Sequence, residues 1–242
     1  MRHLSNVVLP LPLFPINVTI SPEFISKSIP LKIFLEPNDL KKELSFQFWP
    51  DRFGFIRNTI KSNRCDVIIG TNTTYDALNT TKPYYRAGHV WIYRKDSGYD
   101  IKDWNSPDLR KGIIGIVDKS PVSVSLHAND LMANAKPYRL MRDLTKDPGQ
   151  LVTHVAEKEI DIAIMWGPIG GYFAKKSSVP MEVVLIPEYS EGNEKLTGKT
   201  YWNISAGVRK KDDERRDMIE AALIRNKDKI RKIMDDFGVP YT

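Results

Sequence analysis

Aromatic rings at the ends of predicted strands are the side chains of this sequence best suited to binding chemistry. Trp49 ends the β-rich run that begins at Leu44, and Trp166 follows the apolar run Asp161–Met165. Rings at these points lie where α/β sheets bind their ligands, outside the carboxyl ends of the strands. Core packing is the competing explanation for each ring. The rings concerned are Trp49, Phe53, Tyr84, Tyr85, Trp91, Trp166, Tyr172 and Trp202.

Residues that serve catalysis or metal binding form no familiar motif in the sequence. The four histidines, at positions 3, 89, 127 and 154, lack the paired spacing of a metal site. The sequence contains no phosphate-binding loop, no dinucleotide fingerprint and no nucleophile elbow. Cys65 is the single cysteine, so it has no internal disulfide partner and suits a buried thiol in a strand. The sequence therefore predicts a protein that binds, with no catalytic residue, metal or cofactor, and not an enzyme.

The elements that would position these residues alternate between strand and helix. Helical patterns begin near Phe55, at Asp147-Pro148 with Asp147 as the N-cap, and after Pro168, and a long helix follows the last strand. Short apolar runs between them predict buried strands. The predicted strands are Leu44–Trp49, Cys65–Ile69, His89–Tyr93, Ile113–Val117, Asp161–Met165, Met181–Ile186 and Trp202–Val208.

Two segments of the chain echo each other. Residues 60–69 and 155–164 each contain a helix end, then an aspartate (Asp66 or Asp161), then an apolar strand. Each segment is typical of the central unit of an α/β lobe. The echo indicates two lobes with a cleft beyond their strand ends.

Composition excludes several classes of function. The 242 residues are 41% hydrophobic, with 36 basic and 30 acidic side chains and a net charge of +6. Basic and acidic residues are interleaved, as in 209–216, whereas nucleic-acid binding favours segregated basic charge. No apolar run approaches the 18 or so residues of a membrane span. We therefore expect no nucleic-acid partner and no membrane span.

Several motifs resemble one known family. They are Trp49-Pro50-Asp51-Arg52-Phe53-Gly54-Phe55, Thr81-Lys82-Pro83-Tyr84-Tyr85-Arg86, Trp166-Gly167-Pro168, Gly170-Gly171-Tyr172-Phe173 and Phe237-Gly238-Val239-Pro240. From about residue 36 onward the chain is similar to the quinoprotein-dehydrogenase-associated substrate-binding-like proteins, which include the MxaJ/XoxJ-type accessory proteins of methanol oxidation. The tryptophan-containing motifs are the more specific ones; the others are shared with the wider superfamily of extracellular solute-binding proteins (solute-binding family 3).

The resemblance implies a type II periplasmic-binding-protein-like α/β fold. Lobe 1 would comprise residues 1–96 and 200–242, and lobe 2 residues 97–199. The resemblance also implies a periplasmic, non-catalytic accessory protein that assists the maturation or activation of a PQQ-dependent alcohol (methanol) dehydrogenase, with that enzyme and its cytochrome c as partners. The residues expected to line the ligand- or partner-binding cleft are Trp49, Arg52, Phe53, Thr74, Tyr84, Tyr85, Arg86, Trp166 and Tyr172.

Departures from amino-acid-transport relatives bear on the ligand. Those relatives place an arginine, which grips the ligand carboxylate, where this chain has Thr73 and Thr74, and an acid where it has Trp166-Gly167. A zwitterion would lose both charge partners. The alternative function is therefore an importer's solute-binding subunit for a small ligand that is not an amino acid, and an enzyme on the same fold is a distant third. Residues 1–34 lack the family's opening motifs and a leader pattern, and we expect a misannotated start there.

Overall fold

The computed structural model describes residues 55–140, 146–188 and 199–242 in full, together with the backbone of two earlier strands. Contacts divide these residues into two units. The first contains the described residues up to Arg86 and Asn203–Ile233, and the second contains Ala87–Trp202 and Met234–Thr242. The bounds predicted from the sequence are different. There the chain passes from lobe 1 to lobe 2 after residue 96 and returns after residue 199, and all of residues 200–242 belong to lobe 1.

The strands and helices follow the predicted alternation. The strands are β1 (Asn6–Pro10), β2 (Ser45–Trp49), β3 (Val67–Asn72), β4 (Asn79–Thr80), β5 (Tyr85–Arg94), β6 (Ile114–Val117), β7 (Ala135–Tyr138), β8 (Ile162–Trp166), β9 (Met181–Leu185) and β10 (Tyr201–Val208). The helices are α1 (Phe55–Asn58), α2 (Val122–Ala128), α3 (Gln150–Ala156), α4 (Gly167–Lys176), α5 (Asp213–Arg225) and α6 (Lys227–Asp236). Short 3-10 turns occupy Lys95–Ser97, Pro107–Arg110 and Met132–Asn134. No described helix is long and apolar enough to cross a membrane.

The hydrogen-bonded strand order is β2-β1-β3-β10 in the first unit, with β4 on β10, and β5-β8-β6-β7 in the second, with β9 on β5. In the first unit β1 pairs in parallel with both β2 and β3, and β10 closes the set in antiparallel fashion. In the second unit β6 lies in parallel between β7 and β8, and β5 runs antiparallel to β8 and β9. The chain passes between the units along β5 and β10.

Each unit has its own core. In the first, Ile60, Ile68 and Leu78 pack with Cys65, which is buried as predicted but precedes strand β3 and does not lie within it. In the second, a larger cluster is built on edge-to-face contact between Trp91 and Trp104, whose ring centroids lie 5.2 Å apart. Both indoles are fully buried, so Trp91, one of the candidate rings, serves packing.

The two echoing aspartates each precede a buried strand of their own unit. Asp66 comes directly before β3 and accepts a hydrogen bond from Arg209 Nη1 at 2.8 Å. Arg209 also donates to the Cys65 carbonyl at 2.6 Å. Asp161 comes directly before β8, and its carboxylate accepts from the Ile113 N–H at 2.7 Å. The aspartates therefore occupy equivalent chain positions but tie their strands to different neighbours.

The long terminal helix predicted from the sequence is two helices. The buried Asn226 ends α5, where its side-chain amide donates to the Ala222 carbonyl at 2.9 Å. The backbone N–H of Asn226 donates to the same carbonyl at 3.2 Å, and Asn226 itself leaves helical geometry, with φ of −106° and ψ of 17°. The apolar stripe from Ile219 to Met234 therefore crosses a break that hydrophobic spacing does not reveal. Similarly, Asp147 does not cap α3 directly: it binds the Gly149 N–H at 2.8 Å, and Gly149 is the N-cap.

Candidate functional site

Three rings at the end of β8 form a closed aromatic cluster in the second unit. Trp166 is the last residue of β8, and the chain turns into α4 there with Pro168 in the first helical turn. The Trp166 ring lies 5.6 Å from His89 and 5.4 Å from Trp202, and His89 lies 5.6 Å from Trp202. All three contacts are edge-to-face, the geometry that aromatic quadrupoles favour.

His89 is held neutral within this cluster. It is 6% exposed, and burial lowers its pKa from 6.5 to about 4, although the hydrogen bond to Thr200 acts in the opposite direction. Its Nδ1 lies 3.3 Å from the Thr200 carbonyl. A carbonyl only accepts, so the proton of the neutral imidazole resides on Nδ1. The three rings therefore carry aromatic faces and a neutral imidazole, and the ammonium of Lys199 lies 5.6 Å from the centroid of the Trp202 ring.

Two buried polar groups of this region have no hydrogen-bond partner within the described residues. They are the indole N–H of Trp166 and the hydroxyl of Thr200. Thr200 is fully buried and Trp166 is 9% exposed. Because a buried donor without a partner is costly, such groups indicate a place where a bound hydrogen-bond acceptor would be stabilised.

Tyr172, another predicted site residue, packs inside its own unit. It is 5% exposed, its ring stacks on Phe237 at 6.2 Å, and Lys176 Nζ lies 4.6 Å from the ring centroid. It lies on α4 beside Gly171, where an added Cβ would lie 1.9 Å from the Gly238 carbonyl oxygen. The glycine at position 171 therefore serves close packing, and the burial of Tyr172 favours packing over ligand contact.

The first unit carries the other described site residues. Tyr84 and Tyr85 meet edge-to-face at 4.9 Å, and burial raises the pKa of both phenols. Arg86 follows them in β5 and is half-buried. Thr74 is exposed, whereas the preceding Thr73 hydroxyl bonds to Ser205 Oγ at 2.7 Å. Neither threonine supplies the positive charge that a ligand carboxylate requires.

The remaining predicted site residues lie at or beyond the edge of the described chain. Trp49 ends β2 and pairs with Pro10 of β1. Arg52 and Phe53 lie outside the described residues. The site as predicted is therefore distributed: Trp166 and Tyr172 belong to the second unit, and Thr74, Tyr84, Tyr85 and Arg86 belong to the first.

The histidine at the centre of the aromatic cluster was missed by sequence reasoning. His89 was assigned only to a strand, yet it and Thr200 are buried polar residues, 6% and 0% exposed. The available signal was a histidine inside an otherwise apolar strand. Trp202 was recognised as a candidate ring but not as part of the site.

A second group of side chains could hold a metal ion. His154, Glu157 and Glu159 each present one ligand atom within 4.8 Å of the others. His154 Nδ1 lies 3.2 Å from Glu159 Oε2 and 2.8 Å from the Tyr138 hydroxyl. The predicted absence of metal ligands rested on histidine spacing, which does not detect a site with one histidine and two carboxylates.

The first unit also carries a shallow basic depression of about 380 Å³. Its lining includes Lys61, Arg209 and Lys210, and none of the described residues that line it is a carboxylate. The Arg209 guanidinium already donates hydrogen bonds to Asp66 and to the Cys65 carbonyl. These bonds hold it in place, so it is not free to bind an anion.

Comparison with known proteins gives consistent relatives, although no family model matches the chain. It is 27% identical over 195 residues to Protein MoxJ of Methylorubrum extorquens, which covers 76% of this chain and 65% of that relative. It is 26% identical over 201 residues to Protein MoxJ of Paracoccus denitrificans, covering 78% and 72%. The chain thus spans slightly less than two thirds of the length of the first of these curated relatives.

Solved structures agree with the sequence matches. MxaJ from Methlophaga aminisulfidivorans MPT superposes with a TM-score of 0.80 at 26% identity, over 98% of this chain and 100% of that one. The periplasmic binding protein XoxJ from Methylobacterium extorquens AM1 gives a TM-score of 0.74 at 26% identity, over 98% of each chain. An ancestral cationic amino-acid solute-binding protein shares the fold alone, at 16% identity and a TM-score of 0.68.

Proposed function

We propose that this chain, a protein of the MxaJ/XoxJ type with the predicted periplasmic-binding-protein-like fold, is a non-catalytic accessory protein of periplasmic methanol oxidation. In this proposal it binds a PQQ-dependent alcohol dehydrogenase and assists its maturation or activation. The observation that carries the proposal is the match to MxaJ, which extends over nearly the whole of both chains in structure and is accompanied by sequence identity.

The aromatic cluster supports a role other than amino-acid capture. Relatives that bind amino acids need an acid near the end of the second-lobe strand for the ligand ammonium, and this chain places the Trp166 indole there. The neighbouring His89 is neutral at physiological pH, because its pKa is about 4. A zwitterion would find neither an ammonium partner nor, at Thr73 and Thr74, a carboxylate partner. Burying it without such partners would be unfavourable.

The surface we propose for contact with the dehydrogenase combines aromatic and arginine side chains of the first unit. Tyrosine, tryptophan and arginine are enriched among the residues that dominate binding energy in protein interfaces. Tyr84, Tyr85 and Arg86 are consecutive and partly exposed, and the proposal includes Trp49, Arg52 and Phe53. The net charge of +6 would accelerate association with an acidic partner and make it salt-dependent.

The test is direct binding between the purified protein and a PQQ-dependent methanol dehydrogenase of the same organism. We expect saturable binding by biolayer interferometry and a change in dehydrogenase activity or in its PQQ content. The double variant Tyr84→Ala/Arg86→Ala should weaken binding about tenfold or more, since interface residues of this kind each contribute about 1–2 kcal/mol.

The matched control is Tyr75→Ala, which removes a tyrosine that is 44% exposed in the same unit. Far-UV circular dichroism verifies that each variant is folded. Absence of any wild-type binding or activation would refute the accessory role. Normal binding by the folded double variant would refute only the proposed contact surface.

A second candidate function is the solute-binding subunit of an ABC-type importer for a small ligand that is not an amino acid. The unpartnered Trp166 N–H and Thr200 hydroxyl favour it, because both groups could donate to a ligand oxygen. Calorimetry against an amino-acid panel should show no binding tighter than about 1 mM, near −4 kcal/mol. A micromolar dissociation constant for any amino acid would restore amino-acid transport as the function.

A further inference from the structure

We propose that His154, Glu157 and Glu159 form a binding site for a divalent first-row transition-metal ion on the surface of the second unit. Imidazole and carboxylate donors together suit Zn²⁺ and its neighbours in the series. The site is independent of the accessory role proposed above.

The end of helix α3 places the three ligands on one side of the chain. His154 and Glu157 are three residues apart, the spacing that puts two side chains on the same helical face. Lys158 then takes a left-handed conformation with φ of 65°. The Glu159 N–H bonds back to the His154 carbonyl at 2.9 Å. This turn returns Glu159 to the side of the imidazole.

The separation of the donor atoms fits a shared ion. In a tetrahedral zinc site with bonds of about 2.0–2.1 Å, neighbouring ligand atoms lie about 3.3 Å apart. His154 Nδ1 and Glu159 Oε2 are 3.2 Å apart. One carboxylate oxygen of Glu157 lies within 4.8 Å of one ligand atom of His154 and of one ligand atom of Glu159, and its exposed side chain can shorten these distances by rotating. Water would complete the coordination, because both glutamates are exposed.

The surroundings contain both a supporting group and a competing cation. Gln150 lies 3.5 Å from His154 Nε2, and its side-chain amide can present its oxygen to the imidazole N–H, as orienting partners of metal-bound histidines do. Lys136 Nζ lies 3.9 Å from Glu159 Oε2 and competes with a metal for that carboxylate. The Tyr138 hydroxyl is hydrogen-bonded to His154 Nδ1 at 2.8 Å, and this bond would have to break when Nδ1 binds the ion.

The experiment is isothermal titration of the untagged full-length protein with ZnCl₂ at pH 7.5, and with CoCl₂ followed by visible absorption. We expect one saturable site, with affinity reduced about tenfold or more in His154→Gln and Glu159→Gln, because each variant removes a direct ligand. Lys136→Gln should bind Zn²⁺ as tightly as the wild type or more tightly, since it removes the competing ammonium.

The matched control is His127→Gln, which removes an exposed histidine from the last turn of helix α2. It should leave the affinity unchanged. The proposal is overturned if wild-type protein shows no saturable binding up to about 1 mM metal, or if His154→Gln and Glu159→Gln bind as the wild type does. A loss of affinity in His127→Gln equal to that in His154→Gln would also overturn it, because it would indicate nonspecific histidine binding.

Discussion

The neutral histidine between two tryptophans predicts an acid-sensitive stability that one substitution should remove. In the folded protein the pKa of His89 is about 4 because the ring is buried, whereas its ordinary value is 6.5. As pH falls, the unfolded chain therefore binds a proton at His89 before the folded protein does. By linkage, stability contributed by neutral His89 is fully present above pH 6.5 and decreases as pH falls toward 4.

The magnitude follows from the two pKa values. Each pH unit between them corresponds to about 1.4 kcal/mol, so the whole interval amounts to about 3.4 kcal/mol. At pH 5, where the unfolded histidine is nearly all protonated, the loss attributable to His89 is about 2 kcal/mol. Such a loss is a substantial fraction of the free energy of unfolding, which is typically about 5–15 kcal/mol.

The assay is urea-induced unfolding of the wild type and of His89→Gln at pH 7.5 and pH 5. Glutamine keeps an N–H that can donate to the Thr200 carbonyl, but it has no proton to gain in this range. We expect the stability advantage of the wild type over the variant to shrink by about 2 kcal/mol between the two pH values. His127→Gln is the control and should follow the wild-type pH dependence. If the difference between wild type and His89→Gln stayed constant from pH 7.5 to pH 5, the burial argument for His89 would be wrong.

Other substitutions test the packing of each unit. Gly171→Ala brings a Cβ to 1.9 Å from the Gly238 oxygen, and we expect it to lower stability by about 3 kcal/mol, read as a lower thermal midpoint. Gly98→Ala, at a φ of 75° with open space around the new methyl group, should cost only about 1 kcal/mol of strain; an equal loss in both variants would contradict the steric argument. Asp66→Asn removes the carboxylate that pairs with Arg209 at 2.8 Å. It should cost about 2 kcal/mol in denaturant unfolding, and an unchanged midpoint would show that the pair contributes nothing.

Strand positions were accessible from the sequence because their apolar runs are short and sharply bounded. The run at 113–117 became β6, and the run at 161–165 became β8, shifted by one residue. Both strands are buried by neighbours on their two faces, so continuous hydrophobicity is a faithful signal for them. The fold class and the resemblance, which rest on the order of these elements and on the tryptophan motifs, are confirmed by the comparisons.

Side-chain environments were less accessible, because they depend on contacts between distant parts of the chain. Tyr172 and Trp166 are both aromatic residues near a strand end, yet Tyr172 packs on Phe237 from the C-terminal segment and Trp166 on His89 and Trp202. Strand-end position therefore predicts a ring's neighbourhood but not what it touches. The break at Asn226 was missed because it is a change of backbone conformation at a single residue, and the apolar pattern continues past it.

The path of the chain between the units constrains how the protein can be made. In the first unit β3 pairs with β10, so that Val67 lies beside Val208, and the whole segment Ala87–Trp202 of the second unit is synthesised between them. The packing of the second unit likewise depends on Gly238, which lies against Gly171. Neither unit can acquire all of its native contacts until Val208 and Gly238 have been synthesised. Until then the edge of β3 on which β10 pairs is exposed, the kind of surface that chaperones protect in chains awaiting distant partners.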